Sequence, residues 1–273
     1  MKNWVLDREL ERFLNEDIGY GDITTQLFDP GRDASGIIVA KEDFVVSGLE
    51  EAARVFEKTG CITKVLFDAG DDVDEGDTLM EISGSASSIL TGERLALNII
   101  MRMSGIATKT KSMVERGKGL KVAATRKTTP GFRYFEKKAV EEGGGDPHRF
   151  RLDDMVLIKD NHIRLAGGIE SAVKKGRKAS FSKKIDVEVE TFEQAKEAAE
   201  MGVDIIMLDN MEPEEARKSY EQIKSIDEDI IVEVSGGIDE SNIADYIGCC
   251  DVVSSGALTH STSSVDVSLD LKI

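Results

Sequence analysis

The sequence predicts an α/β protein with a C-terminal β/α barrel and a separate N-terminal region of mixed strands and helices. From residue 121 onward, apolar strands and amphipathic helices alternate roughly every 20–25 residues, which is typical of βα units with parallel strands. In addition, successive predicted strands of this region end in polar or glycine-rich residues. Such residues are expected where the strand ends of a barrel open onto its active face.

The N-terminal elements follow from hydrophobic periodicity and glycine positions. Apolar residues at helical spacing predict a helix over 4–17, and residues 19–25 are predicted as a loop. Residues 36–82 are typical of a mixed region that contains strands, a helix and a glycine-turned hairpin. A long helix is predicted over 89–116, with an expected break at Ser104–Gly105.

These elements suggest two domains. We predict an N-terminal domain over residues 1–110 and a barrel domain over 111–263 that carries the active site. The last strand, within 264–273, is expected to return to the N-terminal domain.

Composition argues against several classes of protein. The net charge of −17 argues against a nucleic acid or an anionic membrane surface as partner. No apolar run approaches the roughly 20 residues of a membrane span, and the charged N-terminus is unlike a secretory signal. An odd count of three cysteines without a Cys-x-x-Cys motif does not suggest a disulfide framework or a zinc site. We therefore expect a soluble, cytoplasmic protein.

One basic stretch stands out in this acidic chain. Residues 121–151 hold eight Lys or Arg against four acids, which predicts a cleft for small anionic ligands. The alternative is a solvated helix face. That alternative suits Lys137 and Lys138 better than Arg126 and Lys127, because the latter pair directly follows an apolar strand.

Two parts of the basic stretch are candidate anion sites. Arg126 offers a planar fork for a carboxylate or phosphate, and Lys127 offers a mobile charge beside it. The glycine run 143–145 permits close backbone approach to a ligand and leads to His148 and Arg149. The competing interpretations are a solvated surface turn and a flexible connector.

Further candidates lie at the ends of the next strands. Lys159 ends an apolar strand, where it could bind an anion, form a Schiff base or simply extend to solvent. Glu188 and Glu190 share a strand face, and Asp209 ends the following strand. Asp209 could hold Mg²⁺ or a ribose hydroxyl. The alternative is that these carboxylates form structural salt bridges with the basic residues.

The last two predicted strands lead into small-residue loops. Ser235-Gly236-Gly237 follows one strand, and Ser255-Gly256-Ala257 follows the next. Loops at these places are the usual phosphate cradle of a β/α barrel, although a single such tripeptide is also an ordinary tight turn. His260 follows in the same segment and, taken alone, is as consistent with a packed histidine as with a ligand.

Taken together, these motifs resemble the quinolinate phosphoribosyltransferase family, whose members are carboxylating nicotinate-nucleotide pyrophosphorylases. The resembling segments occur in the family's order along nearly the whole chain. They are EDIGYGDITT (16–25), GERLALNIIMRMSGIAT (92–108), TRKTTPGFR (125–133), KKAVEEGGGDPHRFRLDDMVLIKDNHI (137–163), DVEVE (186–190), DIIMLDNM (204–211), VSGGI (234–238) and SGALTHS (255–261).

The resemblance implies a fold and a reaction. The fold is an open β/α barrel preceded by an α/β sandwich domain. The reaction converts quinolinate and phosphoribosyl pyrophosphate, with Mg²⁺, into nicotinate mononucleotide, pyrophosphate and CO₂ in NAD biosynthesis. The family works as a homodimer, here expected as a dimer or a dimer-based hexamer, in which the neighbouring subunit completes each active site.

The resemblance also implies roles for matched positions. Quinolinate would contact Arg126, His148, Arg149 and Lys159, with Arg94 supplied by the partner subunit. Lys127 would help to hold pyrophosphate, while Glu188 and Asp209 would bind ribose and Mg²⁺. Of these, Lys127, Lys159, Glu188 and Asp209 would be catalytic. The sugar-phosphate end would involve Ser235, Gly236, Gly256 and His260.

Two departures from the family pattern keep an alternative open. Pro147 replaces the common Asn before His-Arg, and Ala124 replaces the common Asp before the TRK segment. A related branch associated with molybdenum transport also carries Pro-His-Arg, so a transferase for another substrate is the main alternative. A Schiff-base lyase and a non-catalytic binding module are the others.

Overall fold

The computed structural model describes residues 3–28 and 31–272, which form two compact units. The first contains the described residues of Met1–Thr108, Tyr134–Gly143 and Thr262–Ile273. The second contains Lys109–Arg133 and Gly144–Ser261. The domain limits predicted from sequence, near 110 and 263, stay predictions, and their outer ends at residues 1–2 and 273 lie outside the described residues.

The first unit combines helices with a four-stranded antiparallel sheet. Its elements are α1 (Asn3–Ile18), β1 (Asp33–Ala40), β2 (Phe44–Val45), α2 (Leu49–Lys58), β3 (Ile62–Val65), β4 (Asp72–Val73), β5 (Thr78–Ser85), most of α3 (Ala86–Gly117), most of α4 (Arg133–Glu142) and β12 (Val267–Lys272). The order of strands in the sheet is β12-β1-β5-β3. The last strand of the chain pairs with β1, where Ile38 lies opposite Leu269.

Helix α3 runs from Ala86 to Gly117, so the break expected at Ser104–Gly105 was wrong. Both residues serve packing instead. The Ser104 hydroxyl accepts a hydrogen bond from Ser47 N at 2.9 Å and donates to Ser47 O at 3.1 Å. A Cβ on Gly105 would lie 2.1 Å from the carbonyl oxygen of Ser263, so only glycine lets the two backbones approach so closely.

The solvated helix face expected for Lys137 and Lys138 was also wrong. Lys137 is fully buried in α4. Lys138 Nζ lies 2.7 Å from Glu51 Oε1 and 2.9 Å from Glu50 Oε2, and 3.4 Å from Glu142. The positive charge is therefore paired with carboxylates of α2 and α4 within the first unit, and only 20% of the Lys138 side chain is exposed.

The second unit is an open β/α barrel, and the predicted fold class is confirmed. Its strands are β6 (Lys121–Ala123), β7 (Val156–Ile158), β8 (Ile185–Val189), β9 (Ile205–Asp209), β10 (Ile231–Ser235) and β11 (Val252–Ser254). These six strands are parallel and occur in the order β6-β11-β10-β9-β8-β7, so β6 and β7 form the two edges. The helices are α5 (Asp160–Ala166), α6 (Ile169–Gly176), α7 (Phe192–Glu200), α8 (Pro213–Ile226) and α9 (Ala257–His260).

Apolar side chains explain why these strands assemble. Val187, Ile206, Val232 and Val253 are buried on neighbouring strands. Parallel strands covered by helices read as apolar runs, which is the pattern found here. Among the described residues, no helix combines the length and hydrophobicity that a membrane span requires.

Candidate active site

A cavity of about 490 Å³ opens at the carboxyl ends of the barrel strands. This volume lies within the range of small-molecule sites, about 300–1,000 Å³. Most of the residues singled out in the sequence line it: Arg126, Lys127, His148, Arg149, Lys159, Glu188, Asp209, Ser235 and Gly236. The remaining wall comprises Ala124, Thr125, Leu157, Met207, Asn210, Glu233, Gly237 and Ser254.

The loop after β6 brings two cations to the cavity. Lys127 N donates to Thr125 Oγ1 at 3.1 Å, and Thr259 Oγ1 donates to Lys127 O at 2.7 Å. The main chain of Lys127 is thereby held at both its N–H and its carbonyl group. Arg126 Nε is buried and has no hydrogen-bond partner among the described residues, which leaves this donor available to an acceptor that enters the cavity.

The segment after the glycine run is attached to the edge strand β6. Ala124 N donates to Asp146 O and Asp146 N donates to Val122 O, both at 2.8 Å. Two residues further on, His148 has a left-handed backbone with φ +53°. Asp146 Oδ1 accepts a hydrogen bond from His148 N at 2.7 Å and stabilises this turn. The glycine run therefore leads into an ordered segment that delivers His148 and Arg149 to the cavity.

Arg126 and Arg149 are both half-buried and line the same cavity. Burial, followed by the neighbouring charge of Arg126, lowers the pKa of Arg149, while Asp186, Asp154 and Glu233 act in the opposite direction. Two like charges placed together out of water are costly unless an anion joins them. The pair is thus suited to a ligand that carries more than one negative charge.

Lys159 and Glu188 form an ion pair across β7 and β8 at the cavity wall. Lys159 N also donates to His162 Nδ1 at 3.0 Å, which fixes the start of α5. Glu188 lines the cavity, whereas Glu190 is exposed beyond the end of β8. A charged lysine paired with a carboxylate does not present the neutral amine that a Schiff base needs.

The loops after β9 and β10 are joined by a main-chain hydrogen bond. Asn210 has φ +56°, and its Nδ2 donates to Asp209 Oδ2 at 2.7 Å. Asn210 N donates to Ser235 O at 2.8 Å. Glu188 and Asp209 contribute carboxylate oxygens to the same cavity, and Mg²⁺ prefers a few such ligands together with substrate phosphates. The residues present therefore fit a magnesium ion.

Three predicted residues do not line the cavity. Gly256 and His260 lie beside Lys127: a Cβ on Gly256 would approach both Lys127 Cδ and His260 Nε2 to 2.8 Å. Arg94 is exposed on α3 in the first unit. Its predicted place in the site of a partner subunit stays a prediction.

Sequence reasoning missed two buried acids whose carboxylates lie within 4.8 Å of the His148 ring, and of these Glu233 also lines the cavity. Asp186 and Glu233 lie within β8 and β10, almost without solvent exposure. Burial, together with the neighbouring Glu233, raises the pKa of Asp186 well above its ordinary value. Because side chains two residues apart in a strand point to the same face, Asp186 shares a face with Glu188, and Glu233 shares a face with Ser235. An acid between apolar residues of a predicted strand was the sequence signal that could have identified both.

Comparison with known proteins identifies the family. The profile described as "Quinolinate phosphoribosyl transferase, C-terminal domain" matches residues 106–270, and the profile for the N-terminal domain matches residues 22–104. The chain belongs to the quinolinate phosphoribosyl transferase family.

Relatives of this family match the chain over most of its length. A probable nicotinate-nucleotide pyrophosphorylase (carboxylating) from Methanothermobacter thermautotrophicus is 44% identical and covers 96% of this chain and 98% of that protein. The human nicotinate-nucleotide pyrophosphorylase (carboxylating) is 38% identical over 85% of this chain and 80% of that protein. The crystal structure of NadC from Streptococcus pyogenes superposes with a TM-score of 0.94 at 41% identity, covering 100% of this chain and 98% of that one.

Proposed function

We propose that this chain transfers the phosphoribosyl group of phosphoribosyl pyrophosphate to quinolinate and releases CO₂, which makes it a carboxylating nicotinate-nucleotide pyrophosphorylase of NAD biosynthesis. The observation that supports this proposal most strongly is the cavity itself. Arg126, Lys127, Arg149 and Lys159 line one cavity together with the carboxylates of Glu188 and Asp209. Such a wall suits a dianionic acid next to a sugar phosphate.

Electrostatics account for binding of the acid. Quinolinate carries two carboxylates, and removing them from water requires cations that are already in place. Arg126 and Arg149 supply planar donors for carboxylates, and Lys159 supplies a third positive charge. His148 forms part of the same wall. We therefore assign the pyridine acid to this side of the cavity, with Arg94 of a partner subunit as a further contact.

The bond changes of the reaction require positioning more than covalent chemistry. The ring nitrogen forms a bond to ribose C1 as the bond from C1 to pyrophosphate breaks, through a transition state with oxocarbenium character. The carbon–carbon bond to the adjacent carboxylate then breaks, CO₂ leaves, and a proton takes the released electron pair on the ring carbon. The carboxylates of Glu188 and Asp209 line the same cavity and would stabilise the developing positive charge on the ribose.

We assign the phosphate side of the reaction to the loops after β6, β10 and β11. Lys127 would contact the leaving pyrophosphate, and the 5′-phosphate would bind near Ser235, Gly236, Gly256 and His260. Mg²⁺ held through Asp209, Glu188 and water would neutralise pyrophosphate charge. We further propose a dimer or dimer-based hexamer located in the cytoplasm.

A direct assay tests the function. Purified protein is incubated with quinolinate, phosphoribosyl pyrophosphate and Mg²⁺, and CO₂ release and nicotinate mononucleotide are measured. We expect turnover in the wild type and its loss in Arg126→Ala and Lys159→Ala, with Lys174→Ala as control because Lys174 is exposed on α6. Full activity in both cavity variants would refute the assigned site.

The molybdenum-associated alternative is not favoured, because the relatives described above carry the carboxylating pyrophosphorylase name. Pro147 is the residue that keeps a substrate test worthwhile. Quinolinate, nicotinate and other pyridine acids are compared at equal concentration. Turnover of another acid without turnover of quinolinate would overturn the proposed substrate.

A further inference from the structure

The imidazole of His148 is bound at both ring nitrogens by the protein. Nδ1 accepts a hydrogen bond from Arg149 N at 2.7 Å. Nε2 lies 3.0 Å from Glu233 Oε2. An Nδ1 that accepts an amide hydrogen carries no hydrogen of its own, so in the neutral ring the hydrogen is on Nε2 and is donated to Glu233.

The main chain at His148 needs this support. A non-glycine residue with φ +53° lies in the left-handed region, which costs free energy and persists only where surrounding contacts enforce it. Asp146 and Arg149 contribute hydrogen bonds from the same short segment. Glu233 is different, because it comes from the interior of β10 and is 85 residues away in sequence.

Glu233 is well placed to hold the ring of His148 from outside this segment. Its side chain is 2% exposed and lines the same cavity as His148 and Arg149. β10 is an inner strand of the sheet, paired with β9 and β11, so Glu233 stands on a rigid support. The chain of contacts thus runs from β10 through the carboxylate of Glu233 and the ring of His148 to the main chain of Arg149.

A metal ion is the competing explanation for this cluster. His148, Asp186 and Glu233 each offer a potential ligand atom, and these atoms lie within 4.8 Å of one another. However, His148 Nδ1 accepts the Arg149 hydrogen and Nε2 carries the ring hydrogen. Neither nitrogen retains a lone pair for a metal, so the geometry favours a hydrogen-bonded strut.

We propose that Glu233 is a positioning residue for the reaction: through the ring of His148 it holds the main chain of Arg149, and thereby sets where the guanidinium meets the pyridine acid. This inference rests on the proposed function. It assigns Glu233 to the acid side of the cavity and not to the phosphate side. Loss of Glu233 therefore weakens the use of quinolinate and leaves the use of phosphoribosyl pyrophosphate unchanged.

Three variants separate this role from a general effect on folding. Glu233→Leu removes the acceptor, Glu233→Gln keeps an oxygen that accepts the Nε2 hydrogen, and Glu221→Leu removes an exposed carboxylate of α8. We expect Glu233→Leu to raise KM for quinolinate about tenfold, the typical consequence of one buried hydrogen-bonding group left without its partner. Glu233→Gln recovers most of this loss, and Glu221→Leu resembles the wild type.

The tautomer provides a second measurement that does not depend on turnover. In ¹⁵N-labelled wild-type protein and in Glu233→Gln, the resonances of His148 show the hydrogen on Nε2, whereas Glu233→Leu loses this pattern. A wild-type ring with its hydrogen on Nδ1 overturns the proposal. The proposal also fails if Glu233→Leu raises the KM for quinolinate and the KM for phosphoribosyl pyrophosphate equally and Glu233→Gln does not recover the loss. If the wild type does not use quinolinate at all, the proposed function fails, and the NMR result alone decides the role of Glu233.

Discussion

The side chain of Asn210 occupies the space beside Gly236 that a larger residue would need. A Cβ at position 236 would lie 2.2 Å from Asn210 Oδ1 and 2.9 Å from Asn210 N. Gly236 itself has φ +103°, a conformation that residues with a side chain rarely adopt. The loops after β9 and β10 therefore fit together only with glycine at this position, next to the Asp209 carboxylate.

Gly236→Ala is expected to disturb the loop and with it the Asp209 carboxylate. The added methyl group must displace Asn210, whose Nδ2 donates to Asp209 Oδ2. We predict a loss of stability of about 1–3 kcal/mol and a fall in kcat/KM for phosphoribosyl pyrophosphate. Urea denaturation and steady-state kinetics measure the two effects.

Gly237→Ala is the matched control for this substitution. Gly237 also has a positive φ, +61°, but nothing lies within 4 Å of its Cβ position. Only the backbone cost remains, about 1 kcal/mol. Equal effects of the two substitutions on kinetics would show that the contact with Asn210 is unimportant.

Removal of divalent ions is expected to stop turnover without preventing binding of the acid. EDTA does not remove the side-chain charges of Arg126, Arg149 and Lys159, whereas it would remove the Mg²⁺ that we propose as the counter-charge of pyrophosphate. Calorimetry in EDTA is therefore predicted to retain quinolinate binding, and CO₂ release returns when Mg²⁺ is restored. Unchanged turnover in EDTA would exclude the assigned use of the ion.

The barrel and most of the cavity wall could be predicted from sequence, because polar residues at the ends of parallel strands necessarily share one face. Asp186 and Glu233 were not identified in the same way, because each lies two residues before a residue at or next to the strand end, at a buried position whose immediate neighbours are apolar. The break predicted at Gly105 failed for a related reason. The glycine at position 105 allows the backbone of residue 263 to pack closely against the helix, and local helix propensity does not reveal such a long-range contact.

Lys138→Met is expected to destabilise the first unit strongly. Burial alone would lower the pKa of Lys138. The nearby carboxylates, above all that of Glu51, have the larger combined effect and raise this pKa. A raised lysine pKa gives stabilisation that is fully present below the ordinary value near 10.5 and lost as pH rises through the folded value. At pH 7.5 the substitution leaves Glu51, with 1% of its side chain exposed, without its cation.

We predict a loss of about 3 kcal/mol for this change, as for other buried ion pairs that lose one partner. Lys174→Met is the control, because its pair with Glu170 is exposed on α6 and is expected to contribute at most about 0.5 kcal/mol. Urea denaturation at pH 7.5 compares the variants. Similar losses for the two substitutions would contradict the role given to burial.

Gly105→Ala tests whether close packing outweighs helix propensity within α3. Alanine in a helix interior is favoured over glycine by about 1 kcal/mol, so propensity alone predicts stabilisation. The new Cβ, however, would lie 2.1 Å from Ser263 O, a main-chain atom that cannot rotate away. We therefore predict a net loss of about 1–3 kcal/mol, as for other overpacked sites.

Gly117→Ala, at the end of the same helix, is the control, because its Cβ would meet nothing closer than Ile243 Cδ1 at 3.4 Å. That substitution is expected to be neutral or slightly stabilising, and a stabilised Gly105→Ala protein would mean that the approach of residue 263 does not constrain the helix.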